Sequence, residues 1–181
     1  MISGGCPERG QTLKGNFSIL ARPRSCLKEE TRSEDVKPIE VIERLWHDAV
    51  VADLDGMEFV AGFADRVVAR EYNGIGPEYL PAELRDKITS WLGVFEPAAL
   101  VHDMRNYASD GTDGAFHYAN EEFLANCRKC AAAKYAWWNW KRYRAYAVAK
   151  LLYRFVDGPF GWKAWMDCYN RKNNNQKKET E

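Results

Sequence analysis

The apolar residues in the first half of the chain come in short runs that are separated by polar turns. Two such runs, over residues 41–51 and 57–60, flank an Asp-Leu-Asp-Gly sequence at residues 53–56. Asp-Gly is a strong former of hairpin turns when apolar residues flank it. A further run at residues 67–69 is rich in β-branched side chains, which favour strands. The pattern predicts a small antiparallel β-hairpin or sheet near residues 40–70.

The second half of the chain is predicted to be helical. Proline in the first turn and glycine after the last are typical of helices, and apolar residues recur with a helical period after Pro97. We therefore expect about four helices, over residues 82–91, 97–107, 120–131 and 137–156. The predicted fold class is α+β, with the small antiparallel β-hairpin or sheet packed on a mostly helical bundle.

The domain organisation follows from where this periodicity begins and ends. Residues 1–36 carry glycine, proline and dense mixed charge, and residues 170–181 are rich in asparagine and charge. Such compositions favour an extended chain over a packed one. We predict a flexible N-terminal arm over residues 1–36, a single globular domain over residues 37–169 and a disordered tail over residues 170–181.

The composition of the 181 residues limits the classes of function. The chain has 26 Lys and Arg against 26 Asp and Glu, so nucleic acid is a less favoured partner, because its binders usually carry a basic surplus. No apolar run approaches the roughly 20 residues that cross a bilayer, and the first ten residues lack the apolar core of a secretion signal. The predicted compartment is the cytoplasm.

The cysteines and one acidic loop offer metal ligands, but each set is incomplete. Cys127 and Cys130 form a single Cys-x-x-Cys pair to which His117 would add a third zinc ligand, whereas zinc sites usually contain a second pair. Residues 110–114 read Asp-Gly-Thr-Asp-Gly, without the closing glutamate of a calcium loop. We interpret the two cysteines as small buried hydrophobic residues with free thiols, and the loop as a helix cap.

The strongest candidate for chemistry is the His102-Asp103 pair, which lies in the helix predicted at residues 97–107. An imidazole takes and gives a proton near neutral pH, and helix neighbours 100° apart can reach one rim, where the carboxylate would bind a cation. Such a pair can activate a water molecule. The structural alternative is a histidine hydrogen-bonded inside the fold beside a solvated aspartate, and the dipeptide alone does not decide between them.

A second candidate surface lies in the segment between Glu122 and Asp157, which contains no acidic residue. Eight lysines and arginines are interleaved there with tryptophans and tyrosines. Such segments face anionic lipid headgroups, stack on nucleic acid or dock acidic proteins. The alternative is a solvated basic face behind a core stripe of Trp and Tyr. The predicted binding face consists of Lys141, Arg142, Arg144, Lys150 and Arg154.

Four motifs, in the same order along the chain, resemble those of a phage-associated family of unknown function. They are a Gly-Phe turn followed by Asp at 59–65, an Ala-Ala-x-x-His-Asp helix at 97–103, an Ala-x-x-x-Phe helix at 119–123 and a Gly-x-x-x-Trp sequence at 160–165. The resemblance covers about two-thirds of the chain. The chain departs from the family in having Asn120 where an aspartate is typical, and in a turn one residue shorter.

The helices that carry His102 and Asn120 are also similar to the paired catalytic helices of phospholipases A2. This resemblance implies that His102 is the general base for an attacking water, Asp103 a calcium ligand and Asn120 the orienter of the imidazole. Asparagine accepts the imidazole N–H but does not supply a full charge to an imidazolium, so weaker activity is expected. The loop at 72–76 resembles their calcium loop, with a Gly-Pro turn as the alternative interpretation. Its implied carbonyl ligands are Tyr72, Gly74 and Gly76.

We therefore consider two functions. The first is a phage-encoded protein with a His-Asp hydrolytic centre, phospholipase-like and acting at a membrane or cell envelope. The alternative is a non-catalytic virion or host-interaction protein that uses the basic aromatic face. The partner is a membrane or envelope component, or a phage or host protein, in the host cytoplasm or the virion. In the hydrolytic case the His102 and Asn120 helices should be antiparallel neighbours, with imidazole and amide within about 6 Å.

Overall fold

The computed structural model describes residues 37–72, 74–75 and 92–179, with side chains as far as residue 174. Over these residues the chain forms seven α-helices and one 3-10 turn, Gly93–Phe95, without a β-strand. The helices are α1 (Ile39–Val51), α2 (Met57–Ala61), α3 (Asp65–Glu71), α4 (Glu96–Tyr107), α5 (Asp113–Lys134), α6 (Trp140–Val156) and α7 (Pro159–Glu179). The predicted arm over residues 1–36 and the helix predicted at 82–91 lie outside the described residues.

The prediction of a β-hairpin or sheet near residues 40–70 is wrong, and so is the α+β fold class. Helices α1, α2 and α3 occupy this region. The buried side chains of α1 are Ile42, Leu45 and Ala49, and spacings of three and four residues place them on one helical face. Burial of this face outweighs the modest β-propensity of the valines and isoleucines around it.

The Asp-Gly turn itself forms, but it joins two helices instead of two strands. Gly56 has a φ of 81° and Asp53 a φ of 52°, a left-handed backbone that glycine adopts readily and aspartate tolerates. Asn126 on α5 holds the turn: its Oδ1 accepts from the Asp55 amide at 2.9 Å, and its Nδ2 donates to the Asp55 carbonyl at 3.0 Å. A side chain from another helix therefore fixes the turn that the sequence predicts.

The predicted helices of the second half are confirmed where the structure describes them, with different starts. Helix α5 begins seven residues before the predicted start, because the Thr112 side chain caps it by accepting from the Ala115 amide at 3.3 Å. Helix α6 begins three residues after its predicted start, where Asn139 Oδ1 accepts from the Lys141 amide at 3.0 Å. The interpretation of residues 110–114 as a helix-capping loop is confirmed.

Helix α5 lies at the centre of the packing and contacts both α4 and α6. Helix α7 packs against α4 and α6 and continues to Glu179, through most of the segment for which the composition predicts a tail. The turn between α6 and α7 requires Gly161, since a Cβ there would stand 1.7 Å from the Val156 carbonyl oxygen. Within the described ranges, no helix is both long enough and apolar enough to cross a membrane.

Candidate functional site

His102 lies in the middle of α4 and faces α5. The preceding turn presents Ala98 and Ala99, both buried, and their small side chains let the two helices approach closely. The imidazole is only 9% exposed, and its ring centroid lies 4.8 Å from that of Phe123 on α5. Its position is therefore set by helix packing.

The structure brings His102 and Asn120 together. The imidazole Nε2 lies 2.9 Å from Asn120 Oδ1, well inside the separation expected from the sequence. Helices α4 and α5 are antiparallel, since Ala98 near the start of α4 meets Cys130 near the end of α5, while Arg105 near the end of α4 meets Tyr118 near the start of α5. The geometry required of a base and its orienter is present, whereas their catalytic roles stay a prediction.

The carboxylate of Asp157, just after α6, fixes the orientation of the Asn120 amide. Asn120 Nδ2 lies 3.1 Å from Asp157 Oδ1 and 3.5 Å from the Val156 carbonyl oxygen. An ionised carboxylate and a carbonyl only accept hydrogen bonds, so Nδ2 must be the donor there. Asn120 Oδ1 then faces His102 as an acceptor.

This orientation also determines the tautomer of His102. Because Asn120 Oδ1 only accepts, the imidazole proton is on Nε2, and the lone pair is on Nδ1. The Nδ2 of Asn106, one turn along α4, lies 3.4 Å from Nδ1 and can donate only weakly at that distance. Nδ1, which carries the lone pair, is the basic atom of the site.

His102 is held in its neutral form. Burial lowers the pKa of His102 below the ordinary value, and the hydrogen bond with Asn120 and the charge of Glu122 oppose this shift without cancelling it. A neutral imidazole at pH 7 has a free lone pair, so it can accept a proton from a water molecule. It cannot serve as a standing positive charge.

Asp157 was missed by the sequence analysis as a site residue. Burial raises its pKa, but hydrogen bonds from His117 and Asn120 outweigh burial and hold the pKa of Asp157 below the ordinary value. The His117 Nδ1 lies 2.8 Å from Asp157 Oδ1, and this bond raises the pKa of His117. One signal was visible in the sequence: Asp157 is the first acid after the long acid-free segment, directly before Gly158-Pro159.

His102 lies in the wall of a cavity of about 900 Å³ between α4, α5, α6 and α7. Asp103, Asn106 and Asn120 are polar neighbours of the imidazole in this wall, and Arg171 also lines it. Most of the remaining wall is apolar, including Leu92, Phe123, Leu152, Phe155, Val156 and Phe160. Such a cavity suits a ligand with an apolar body and one polar group.

The residues predicted to bind calcium are only partly brought together. Asp103 and Gly74 line the same cavity. Tyr72 is buried, which raises the pKa of its hydroxyl, and the charges of Glu96 and Asp103 raise it further. Gly76 lies outside the described residues. Within 37–72, 74–75 and 92–179, no group of three or more His, Cys, Asp and Glu side chains is arranged so that it could hold a metal ion. Calcium usually takes six to eight oxygens, and its binding here stays a prediction.

The predicted binding face divides into two parts in the structure. Lys141, Arg144, Lys150 and Arg154 are exposed. Arg142 is instead half-buried, and its Nε donates to the Tyr146 hydroxyl at 2.7 Å.

The tryptophans of this segment do not form the core stripe that was the alternative. Trp137, Trp138 and Trp140 are 69%, 72% and 62% exposed, and the buried side of α6 consists of Ala145 and Ala149. The sequence had suggested a binding face from its charges, but it did not show that the aromatic rings share the exposed side.

The interpretation of Cys127 and Cys130 as small buried hydrophobic residues is confirmed. Both are buried within the main core and are free thiols. Burial raises the pKa of Cys130 to about 11 and that of Cys127 well above the ordinary value, so both thiols are protonated at neutral pH. His117 is bonded to Asp157 and contributes no contact to the pair.

No family model, curated protein or solved structure matches this chain. The phage association and the similarity to phospholipase catalytic helices stay predictions from the sequence motifs.

Proposed function

We propose that this protein is a hydrolase that cleaves an ester bond of a largely apolar substrate, with His102 as the general base. The observation that carries the proposal is the chain of hydrogen bonds from Asp157 through Asn120 to His102. This chain holds the imidazole in the tautomer whose lone pair is on Nδ1, in the wall of the large cavity.

The proposed reaction begins with a water molecule bound at His102 Nδ1. Nδ1 takes one proton from this water while the water oxygen forms a bond to the ester carbonyl carbon. The tetrahedral intermediate then collapses, the carbon–oxygen bond to the alcohol breaks, and the leaving alcohol takes the proton back from Nδ1. Asn106 Nδ2, 3.4 Å from Nδ1, is a donor that can orient the water or the substrate oxygen.

The imidazolium formed during this step is stabilised through its Nε2–H, which donates to Asn120 Oδ1. Asn120 supplies only the dipole of its amide oxygen, but the negative charge of Asp157 lies one hydrogen bond further along the same line. An asparagine at position 120 is compatible with this role, because the Asp157 carboxylate lies behind its amide instead of contacting the imidazole directly. A charge at this distance acts more weakly than one in direct contact, so a slower reaction is expected.

The cavity supports an ester with an acyl chain as the substrate class. The phenylalanine, leucine and valine side chains of its wall can bury a hydrocarbon chain, at roughly 0.8 kcal/mol for each methylene group. The ester group would lie beside His102, and the wall also contains the charged side chains of Lys163, Asp167 and Arg171.

Hydrolysis of 4-nitrophenyl esters with acyl chains of four to twelve carbons tests the proposal. The wild type should prefer the longer chains, and His102→Ala should reduce kcat/KM by about 100- to 10,000-fold. His47→Ala is the matched control, because His47 is an exposed histidine on α1, 78% accessible at its side chain. Circular dichroism melts would verify that both variants fold. A wild type that hydrolyses none of the esters, or a fully active His102→Ala, would disprove the hydrolase.

Non-catalytic binding through the exposed side of α6 is the second candidate function. The exposure of Trp137, Trp138 and Trp140 favours it, because three large rings in solvent are unusual on a protein without a partner. In that case His102→Ala leaves partner binding unchanged, whereas changes on α6 abolish it.

A further inference from the structure

The exposed side of α6 and the turn before it carry an unusual concentration of large apolar side chains. Six large hydrophobic residues of this region, among those that the structure describes, have between 46% and 72% of their surface accessible to solvent. They are Trp137, Trp138, Trp140, Leu151, Phe155 and Phe160. We call this set the apolar strip.

The apolar strip follows one side of α6 along its whole length. At 100° per residue, Trp140, Leu151 and Phe155 fall within about 60° of one another, on the side opposite the buried Ala145 and Ala149. With a rise of 1.5 Å per residue, Trp140 and Phe155 are about 22 Å apart along the axis. The strip therefore runs along nearly the whole length of α6.

The strip ends at the cavity that contains His102. Phe155 stacks on Phe160, with ring centroids 6.2 Å apart and planes inclined by 14°. Both rings line the cavity while remaining partly exposed. Whatever covers the strip consequently lies at the entrance to the cavity.

Basic side chains accompany the strip, without acids of the same segment. Arg144, Lys150 and Arg154 are exposed. Arg144 and Arg154 lie within about 70° of the middle of the strip, and Lys150 lies at its flank. The Arg144 guanidinium lies 6.0 Å from the centre of the Trp140 ring. Residues 123–156 contain no Asp or Glu. The surface is therefore complementary to a partner that presents negative charge over an apolar layer.

We propose that the apolar strip and its basic side chains dock on the surface of an anionic lipid bilayer. Tryptophan has an apolar ring and a polar N–H, and is enriched at the depth where acyl chains meet headgroups. Long basic side chains reach lipid phosphates while their methylene groups remain at the apolar boundary. One exposed helix side of this composition matches a helix that lies in the plane of the interface.

This docking stands apart from hydrolysis at His102, since it needs no chemistry. Docking would place the cavity next to the lipid surface, because Phe155 and Phe160 belong to the strip and also line the cavity. Vesicle binding and ester hydrolysis are separate measurements, so the two proposals can fail independently.

Sedimentation of the full chain with lipid vesicles tests the docking. The wild type should partition onto vesicles of phosphatidylcholine with 30% phosphatidylglycerol, a composition of roughly the charge that attracts basic segments, and release as salt is raised. Pure phosphatidylcholine vesicles should bind it far less. Hydrolysis of the vesicle lipid is not required for this readout.

Two variants divide the strip into its apolar and basic parts. The variant with Trp137→Ser, Trp138→Ser and Leu151→Ser should lose partitioning at every salt concentration. The variant with Arg144→Gln, Lys150→Gln and Arg154→Gln should bind on the order of 100-fold more weakly at low salt, because each basic side chain near an anionic surface contributes roughly a fivefold change.

Matched controls exist on other surfaces. Val50→Ser with Val51→Ser removes two exposed apolar side chains from α1. Arg66→Gln, Arg70→Gln and Lys172→Gln remove three exposed positive charges away from α6. Both controls should bind vesicles like the wild type.

Three results would overturn the proposal. The first is a wild type that does not sediment with the anionic vesicles at low salt. The second is equal binding by the wild type and both α6 variants. The third is self-association of the wild type without vesicle binding, seen by light scattering and abolished in the serine variant. That result would assign the strip to a second copy of the chain.

Discussion

Two buried polar pairs connect α4 to α5, and they differ in charge and in what surrounds them. His102 and Asn120 form a neutral pair, joined by one hydrogen bond of 2.9 Å. One turn further along α4, Arg105 donates two bonds, of 2.9 and 2.8 Å, to the two carboxylate oxygens of Glu122. The pairs are neighbours on the same two helices, so their backbone environments are closely similar.

The charged pair is fully engaged in packing. The Arg105 guanidinium lies 4.1 Å from the centre of the Phe59 ring, and Glu122 lies against Gly56 in the turn before α2. Its groups join α2, α4 and α5, and the short bidentate geometry uses both carboxylate oxygens. In the neutral pair, His102 lines the cavity and its Nδ1 has a single weak contact, 3.4 Å from Asn106 Nδ2. The difference teaches that two pairs on the same helices can differ in how much of their bonding capacity is used: the Arg105–Glu122 pair uses both carboxylate oxygens, whereas His102 Nδ1 makes only a weak contact.

The largest expected effect on stability comes from breaking the charged pair. Arg105→Ala leaves Glu122 buried and without its counter-ion, which should lower the free energy of unfolding by about 3 kcal/mol. Urea unfolding followed by circular dichroism measures the change. Lys163→Ala is the control: it removes an exposed ion pair with Asp167 and should cost less than about 1 kcal/mol. Equal losses in the two variants would contradict a structural role for the Arg105–Glu122 pair.

A somewhat smaller loss is expected from Gly56→Ala. A Cβ at this position would stand 2.9 Å from Glu122 Oε1 and 3.0 Å from Val101 Cγ1, at a φ of +81°. The contact and the left-handed backbone together should cost about 2 kcal/mol in urea unfolding. Gly114→Ala is the matched control, since nothing lies within 4 Å of its Cβ position in α5, and it should be neutral or slightly stabilising.

A double-variant cycle sharpens the assignment of this cost. If the clash is with Glu122, Gly56→Ala should cost less in a Glu122→Ala background, because the carboxylate oxygens that it meets are gone. A cost that is unchanged in that background would assign the effect to the left-handed backbone of Gly56 and to the contact with Val101, and leave the charged pair uninvolved.

The sequence predicted the second half of the fold better than the first, for physical reasons that individual residues show. Pro97 marked the start of α4 to within one residue, because a proline in the first turn acts locally. In α1 the buried spacing of Ile42, Leu45 and Ala49 was visible, but the β-branched neighbours and the Asp-Gly turn suggested strands. Tertiary burial decided between the two patterns, and no local propensity reports it.

The candidate site was predictable only in its helical part. His102 was singled out by the His-Asp pair, and Asn120 by the resemblance to paired catalytic helices, and the structure brings the two side chains to 2.9 Å. Asp157 was missed since it follows Asn120 by 37 residues and comes from a third helix end. The exposure of Trp138 was equally hidden, because the sequence shows that tryptophans are abundant but not which ones the core excludes.

The His102–Asn120 pair can be tested by introducing a carboxylate at position 120. Asn120→Asp places a second carboxylate at the position where Asn120 Nδ2 now donates to Asp157 at 3.1 Å. Two ionised carboxylates at that distance repel each other, so one must bind a proton. The free energy of unfolding at pH 7 should fall on the order of 1.5 kcal/mol. The loss should shrink at pH 5, where the shared proton is readily supplied.

Adding Asp157→Asn to that variant should restore stability. The amide introduced at 157 can donate to the carboxylate introduced at 120, which then lies directly beside the His102 Nε2–H. The pKa of His102 should rise in this double variant, and ester hydrolysis should increase if His102 is the base. A double variant no more stable than Asn120→Asp alone would show that the two residues do not interact as the structure places them.

The smallest expected effect is the opposite response of two histidines to pH. Burial lowers the pKa of His102 in the folded state, so below about pH 6.5 the unfolded chain takes up the proton more readily and stability falls as the pH decreases. The pKa of His117 is raised by its bond to Asp157, so its contribution to stability is full below about pH 6.5 and is lost as the pH rises through the folded pKa.

Melting temperatures from pH 5 to 8 should show less acid loss in His102→Gln than in the wild type, and less alkaline loss in His117→Gln. If His102→Gln kept the full acid loss, the buried neutral imidazole that distinguishes this pair from the Arg105–Glu122 pair would be excluded.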